Sequence, residues 1–215
     1  MKNRSILSPA LGAIAVLIAC TACSPLEPSA EPTSAPTESQ TTAPTPSSTP
    51  TEEPLDLAAP SSWTIDFAGV GPLTRGGSVS AERASMTAFV DDSNPEACSV
   101  VAFDALAENV PGIFAVPAAD LDTTTDLVVS GDNTPELLAD GSPTTEAGIG
   151  VGSTEAELNA AYPDLLAQPG PGADSTHYTL TDDAGGYIHF TVYPTQVVQS
   201  IAISESEALP YEYCG

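Results

Sequence analysis

The sequence predicts an α+β domain built as two helix-plus-antiparallel-strand repeats forming a one-sided sheet, preceded by a disordered tether. Three observations carry that expectation. An apolar N-terminal run ends at a cysteine and is followed by a Ser/Thr/Pro/Glu stretch too polar to build a core. The remaining 155 residues alternate short strand patterns with isolated helix patterns. Two parts of that remainder echo each other at matched spacing.

At the N-terminus "MKNRS" carries Lys2 and Arg4, and an apolar run from Leu11 to Ala19 ends at Cys20. A run of this length is too short to span a bilayer and has the layout of a secretory signal, so residues 1–19 are expected to be removed. Leu17-Ile18-Ala19-Cys20 resembles the lipobox of bacterial lipoproteins. The resemblance implies a diacylated Cys20 as the new N-terminus, and two acyl chains at about 0.8 kcal/mol per buried methylene suffice for stable anchoring. Cys23 is the alternative: a cut before it leaves Cys98 and Cys214 as an even pair, but puts Cys20 where a lipobox carries Leu, Val or Ile. A soluble secreted protein cut nearby is the other alternative. The expected location is the outer face of the cytoplasmic membrane, on the cell-wall side of a Gram-positive type of envelope, with the lipid as the membrane contact.

Residues 20–60 form the expected tether. Segments such as "EPTSAPTESQTTAPTPSSTPTEEP" cannot bury enough apolar surface to offset the entropy of ordering them. Their prolines favour polyproline II, so about 30 residues at roughly 3.1 Å each reach some 90 Å. Export implies an oxidising compartment, which makes Cys98 and Cys214 a disulfide rather than a metal pair. Once the signal is removed, Arg75 and Arg83 are the sole basic side chains against 29 acidic residues. Such a surface repels phosphate backbones, which excludes nucleic acid as a partner. It serves solubility; the other reading is a field that attracts a cationic partner or divalent ions.

The folded domain is expected over 61–215, with units at about 61–131 and 145–215. "SSWTIDFAGVGPL" opens it with Trp63, Ile65 and Phe67 on one side and Thr64 and Asp66 on the other, a half-buried strand. "GGSVSAERASMTAFV" (Gly76 to Val90) then compares with "GVGSTEAELNAAYPDLL" (Gly150 to Leu166): each has Gly-Ser, small and acidic residues, then an apolar face. Gly112 lies 35 residues after Gly77, and Gly186 lies 34 after Gly152. In both, an apolar triplet follows 15 residues later, at Leu127 or Ile201. Each unit reads as a turn, one short helix and about three strands. Ser153 or Thr154 caps the second helix, Glu155 and Glu157 suit its positive end, and Pro163 stops or kinks it. Close turns such as "DDAGG" at 182–186 make the sheet antiparallel.

"GVGSTEAEL", a tyrosine-containing "HYTL", "GYIHFTV" and "VVQSIAI" together are similar to the repeat of β-lactamase-inhibitor-protein-like domains and of the related small lipoproteins of outer-membrane assembly. The likeness covers about Trp63 to Ser204 and is weaker in the first unit, where "GPLTRGG" and a cysteine stand. It implies the architecture and a tendency to bind proteins on an open sheet face. The lipobox, the Thr-Pro tether and the Ala-rich, Lys-poor sequence also resemble lipoproteins of high-GC Gram-positive bacteria.

No cofactor and no metal is expected. Gly148, Gly150 and Gly152 fall short of G-x-G-x-x-G, the mature chain has no lysine for a phosphate loop, and Glu155 and Glu157 occupy the helical turn a phosphate would need. "DLDTTTD" (Asp120, Asp122, Asp126) has part of a calcium-loop spacing but lacks the central glycine, and Gly131 stands where a bidentate glutamate is required. Two histidines are too few for a metal centre or a triad. The chain is therefore read as no enzyme and as having no catalytic residues.

The candidate binding face is on the strand at 187–193. Ile188, Phe190 and Val192 point to the core, which sends Tyr187, His189, Thr191 and Tyr193 to the opposite face, open if both helices cover one side. The alternative is a set of cross-strand aromatic pairs that only stabilise the sheet. The functional expectation is an envelope lipoprotein presenting a protein- or ligand-binding domain, with an exported protein or envelope component as partner. The alternatives are a carboxylate-using envelope enzyme, a solute-binding lipoprotein, or a structural lipoprotein without a specific ligand.

Overall fold

The structure is a computed structural model that describes residues 54–131, 135–170, 172, 174–210 and 212–214. Residues 1–53, on which the expected signal, Cys20, Cys23 and most of the expected tether fall, lie outside the described residues.

The chain enters through a small sheet. Asp66 Oδ1 accepts from the amides of Ala68 and Gly69, turning the backbone sharply. Strand β1 is therefore two residues long (Thr64–Ile65) and pairs with β2 (Gly69–Val70), which pairs with β3 (Leu73–Thr74). The expected alternation holds: Trp63 and Ile65 are buried, Phe67 is half-buried, and Thr64 and Asp66 are exposed. Gly71, at φ +55°, lies under the Trp63 indole, where a Cβ would come within 2.3 Å of the ring. The indole N–H donates to the Asp56 carbonyl at 2.8 Å, so the largest core side chain leaves no polar atom unpaired.

The main sheet has eight antiparallel strands. The first unit supplies the short helix α1 (Val79–Glu82) and strands β4 (Phe89–Asp91), β5 (Val101–Ala105), β6 (Gly112–Pro117) and β7 (Thr124–Ser130). Strand β8 (Thr144–Thr145) returns to pair parallel with β1. The second unit supplies α2 (Glu155–Ala161), β9 (Gln168–Pro169), β10 (Thr176–Thr181), β11 (Tyr187–Val192) and β12 (Val198–Ser204). The strand order is β4-β5-β6-β7-β12-β11-β10-β9, so the units meet at β7 and β12 and run outward in opposite directions.

The repeat extends to individual hydrogen bonds. Gly76 (φ +78°) donates to the Thr124 carbonyl and Gly152 (φ +94°) to that of Val198. Val79 N–H reaches Asp122, and Glu155 N–H reaches Gln196. Ser78 and Thr154 are matching N-caps, accepting from Ala81 and Glu157. Bulges interrupt both hairpins at matching places, Val116/Pro117 and Thr191/Val192. Across the central pair Val128 faces Ala202, its own equivalent at the 74-residue spacing of Leu127 and Ile201. A local two-fold axis therefore passes through that pair.

One side of the sheet carries the core. Ile113, Ala115, Leu127, Val129, Ile188, Phe190, Ile201 and Ile203 are buried there, in one cluster with Val79 and Leu158 of the two helices and with Trp63 and Leu73 of the small sheet. Each such aliphatic or aromatic side chain contributes about 1.5–3 kcal/mol by leaving water. The second helix ends as Pro163 requires, and a capping box of Thr154 and Glu157 starts it. Asp182 Oδ1 accepts from Ala184 and Gly186 to close the β10–β11 hairpin, with Gly185 at φ +85°. Cys98 and Cys214 are disulfide-bonded, 116 residues apart.

Candidate functional site

The sheet face opposite the helices is where the sequence places the binding surface. Tyr187, His189 and Thr191 do alternate with the core residues of β11. That face is not bare at their positions: His189 is 0 % and Thr191 4 % exposed, Tyr187 is half-buried, and Tyr193 lies beyond the end of β11 with 36 % exposure. At His189 the physical reason is the C-terminal segment Glu205–Pro210, which follows β12 and folds back over His189 of β11 and His177 of β10. The Ser206 carbonyl sits 2.9 Å from His189 Nε2, and Glu207, Ala208 and Leu209 wall a recess with His177. Strand alternation reports which face a side chain takes, not what comes to lie on it.

The register sets His177 opposite Thr191 and Thr179 opposite His189, so β10 adds a second imidazole to the face. His177 Nε2 is 3.1 Å from His189 Nδ1, with the rings stacked at 5.1 Å; Tyr187 stacks on His189 at 5.8 Å. Hydrogen-bond logic assigns the protons. A carbonyl only accepts, so His189 Nε2 carries hydrogen toward Ser206, and its Nδ1 accepts from His177 Nε2–H. His177 Nδ1 is then a buried acceptor without a partner. Burial pushes the pKa of both rings below the usual imidazole value. A charged His189 would lower His177 further, while the Ser206 carbonyl and Asp126 pull His189 the other way.

The first unit presents a different surface at the equivalent place. Phe114 of β6, flanked by Ala102 and Val128, holds the position of His189. A cavity of about 290 Å³ opens there between Val100, Phe114 and Val128 on the sheet and Tyr213 and Cys214 above it. The Tyr213 hydroxyl is buried without a hydrogen-bond partner, and burial, reinforced by Asp126, raises its pKa. Farther out, Ala102, Phe114 and Val116 are half-buried and Val90 is 48 % exposed. Asp104 stands opposite Val90 on the same face. Both arginines among the described residues are engaged elsewhere, Arg75 with Glu205 at 3.1 Å and Arg83 with Asp91 at 2.8 Å.

The other sequence candidates resolve into local structure. Asp120 caps its own turn through Thr123 and the amide of Asp122, which lowers its pKa to about 2. Asp122 accepts from the Ser78 hydroxyl at 2.7 Å and the Ser80 amide at 2.9 Å, clamping the start of α1. Asp126 points to the outer face, so the three carboxylates do not converge. Gly148 and Gly152 supply the positive-φ corners of the turn before α2, and Gly150 packs against the Pro143 carbonyl. His177 was legible but unused: the tight "DDAGG" turn fixes the register that puts it across from Thr191.

The fold is that of an α+β domain with a two-unit antiparallel sheet covered on one side by helices. No family model matches the sequence, and no curated protein does. Among solved structures the chain is similar to a DUF4309 family protein, YjgB, from Bacillus subtilis subsp. subtilis str. 168. The two share 14 % identity at a TM-score of 0.46, over 68 % of this chain and 90 % of that one.

Proposed function

We propose that this chain is a lipid-anchored envelope protein whose tether holds a protein-binding domain off the membrane, and that the outer sheet face is its binding surface. The observation that carries the reading is the row Val90, Ala102, Phe114 and Val116, apolar side chains that remain solvent-contacting across neighbouring strands while the opposite face holds the main hydrophobic cluster. An exposed apolar sheet face rimmed by carboxylates suits an exported or envelope protein that offers apolar anchors among basic residues. The net charge of −25 supplies the long-range attraction.

The test is recovery of partners from a surface extract by the wild-type domain, by Phe114→Asp with Val116→Asp, and by Ala156→Asp on the exposed side of α2. Loss with the first variant and retention with the second is the expected result; equal recovery by all three overturns the proposed face. Anchoring is read separately by metabolic labelling with an alkyne fatty acid. Cys20→Ser abolishes the label, whereas loss only with Cys23→Ser moves the anchor.

A further inference from the structure

We infer that Glu205–Pro210 is a proton-released cover: it lies over His177 and His189 on the second unit's half of the outer face while both rings are neutral, and lifts when the pair takes up a proton, uncovering the two imidazoles. The inference deepens the binding reading, since it rests on that reading for what the uncovered face is used for; the opening is a property of the chain alone.

The geometry admits one proton arrangement. Ser206 C=O accepts from His189 Nε2–H, and His189 Nδ1 accepts from His177 Nε2–H. An added proton at His177 Nδ1 meets no acceptor in that buried position. Added at His189 Nδ1, it faces the His177 N–H and drives that ring into its other tautomer, again placing a hydrogen on the unpartnered Nδ1. Either route leaves a buried cation and an unsatisfied donor beneath the cover, and lifting the cover hydrates both.

The groups around the pair do not reverse this. The Ser206 carbonyl of the cover, and after it Asp126 of β7, favour a charged His189, but burial outweighs both. Tyr187 of β11 stacks on His189, and Thr179 of β10 offers only a hydroxyl at 3.4 Å. Glu207 of the cover shares the recess with His177 but is itself exposed to water. Gln168 and Pro169 from β9 bring no charge, and Glu205 is engaged with Arg75. Because both rings titrate below their ordinary value, the closed state is fully stabilised above about pH 6.5 and loses stabilisation as pH falls below it.

The cover is also built to move locally. Glu205 to Ala208 and Pro210 are exposed and only Leu209 is half-buried, whereas β12, which precedes it, ends at the fully buried Ser204. Beyond it the Cys98–Cys214 disulfide retains the end of the chain, so opening is reversible.

The experiment is amide hydrogen exchange of the mature disulfide-bonded protein at pH 7.5 and 5.0, corrected for intrinsic rates, with no partner present. Exchange over 205–210 should rise about tenfold or more at pH 5.0 while peptides covering β7 and β12 keep their protection. In a His177→Gln, His189→Gln variant the response of 205–210 should vanish. Equal exchange of 205–210 at the two pH values, loss of protection by cover and strands together, or a folded variant that keeps the response overturns the inference. If the variant does not fold, the wild-type contrast between cover and strands decides. A cover that ignores pH leaves the outer face free to be the binding surface, and a face that binds nothing leaves the pH response intact, so the two failures are distinguishable.

Discussion

At His189 the outer face of the sheet meets a second imidazole and a covering segment; at Phe114, its counterpart in the first unit, the same face meets a small apolar cavity and solvent. The backbone around the two residues is the same, down to the glycine amides that open each unit and the bulges that end each hairpin. The core-facing side chains agree as well, with Ile113 and Ala115 answering to Ile188 and Phe190. The chemistry differs most on the side turned away from the helices, where His189 stands in place of Phe114; on the helix side the changes are of size, Ala115 against Phe190 and a four-residue α1 against a seven-residue α2. The two units have in common the hydrogen bonds and the apolar core that each needs in order to fold, and differ most in the chemistry of the outer face.

The largest way to break the comparison is at the link between the halves. Replacing Cys98 and Cys214 together by serine removes a cross-link across 116 residues, and the chain-entropy relation puts the loss at about 5 kcal/mol, read by denaturant unfolding. Next come the facing core residues of the central pair, Val129 and Ile201, each fully buried. Ile201→Ala should cost about 3 kcal/mol and Val129→Ala about 2 kcal/mol, and near-neutral values for either would mean the junction is not packed as described. The helix starts should separate the units more finely. Thr154→Ala breaks a capping box on a seven-residue helix and should cost about 1 kcal/mol, whereas Ser78→Ala acts on a four-residue helix that Asp122 also holds and should cost less.

The smallest effect is electrostatic and belongs to the first unit alone. Asp120 should titrate near pH 2 by NMR, held down first by the Thr123 hydroxyl and then by the amides of its turn. Because its folded value lies below the ordinary carboxylate value, its contribution is present above about pH 4 and fades as pH falls toward 2. An ordinary titration would dissolve the turn that carries Asp122 to α1.

Much of this was legible in the residues. Gly77 and Gly152, followed at 35 and 34 residues by Gly112 and Gly186, point to the repeat to within one residue, the structure pairing Gly76 with Gly152 and Gly112 with Tyr187, because turns and hairpins fix spacing even where side chains drift. Thr154, Glu157 and Pro163 bounded α2 through interactions that reach only three or four residues. Alternation on β11 gave the correct faces. The sequence could not show the small sheet formed when β8 returns to β1, because two-residue strands have no period to detect. Nor could it show the burial of His189: the path of Glu205–Pro210 depends on where β10 and β11 lie in space, and no local pattern encodes that.

The central claim is that binding belongs to the sheet face turned away from the helices. A benzophenone photo-crosslinker placed at position 90 on that face, and separately at position 156 on the exposed side of α2, tests it in living cells carrying the full-length protein. The account predicts discrete protein adducts from position 90 and none from position 156; adducts from position 156 alone, or the same adducts from both, would contradict it.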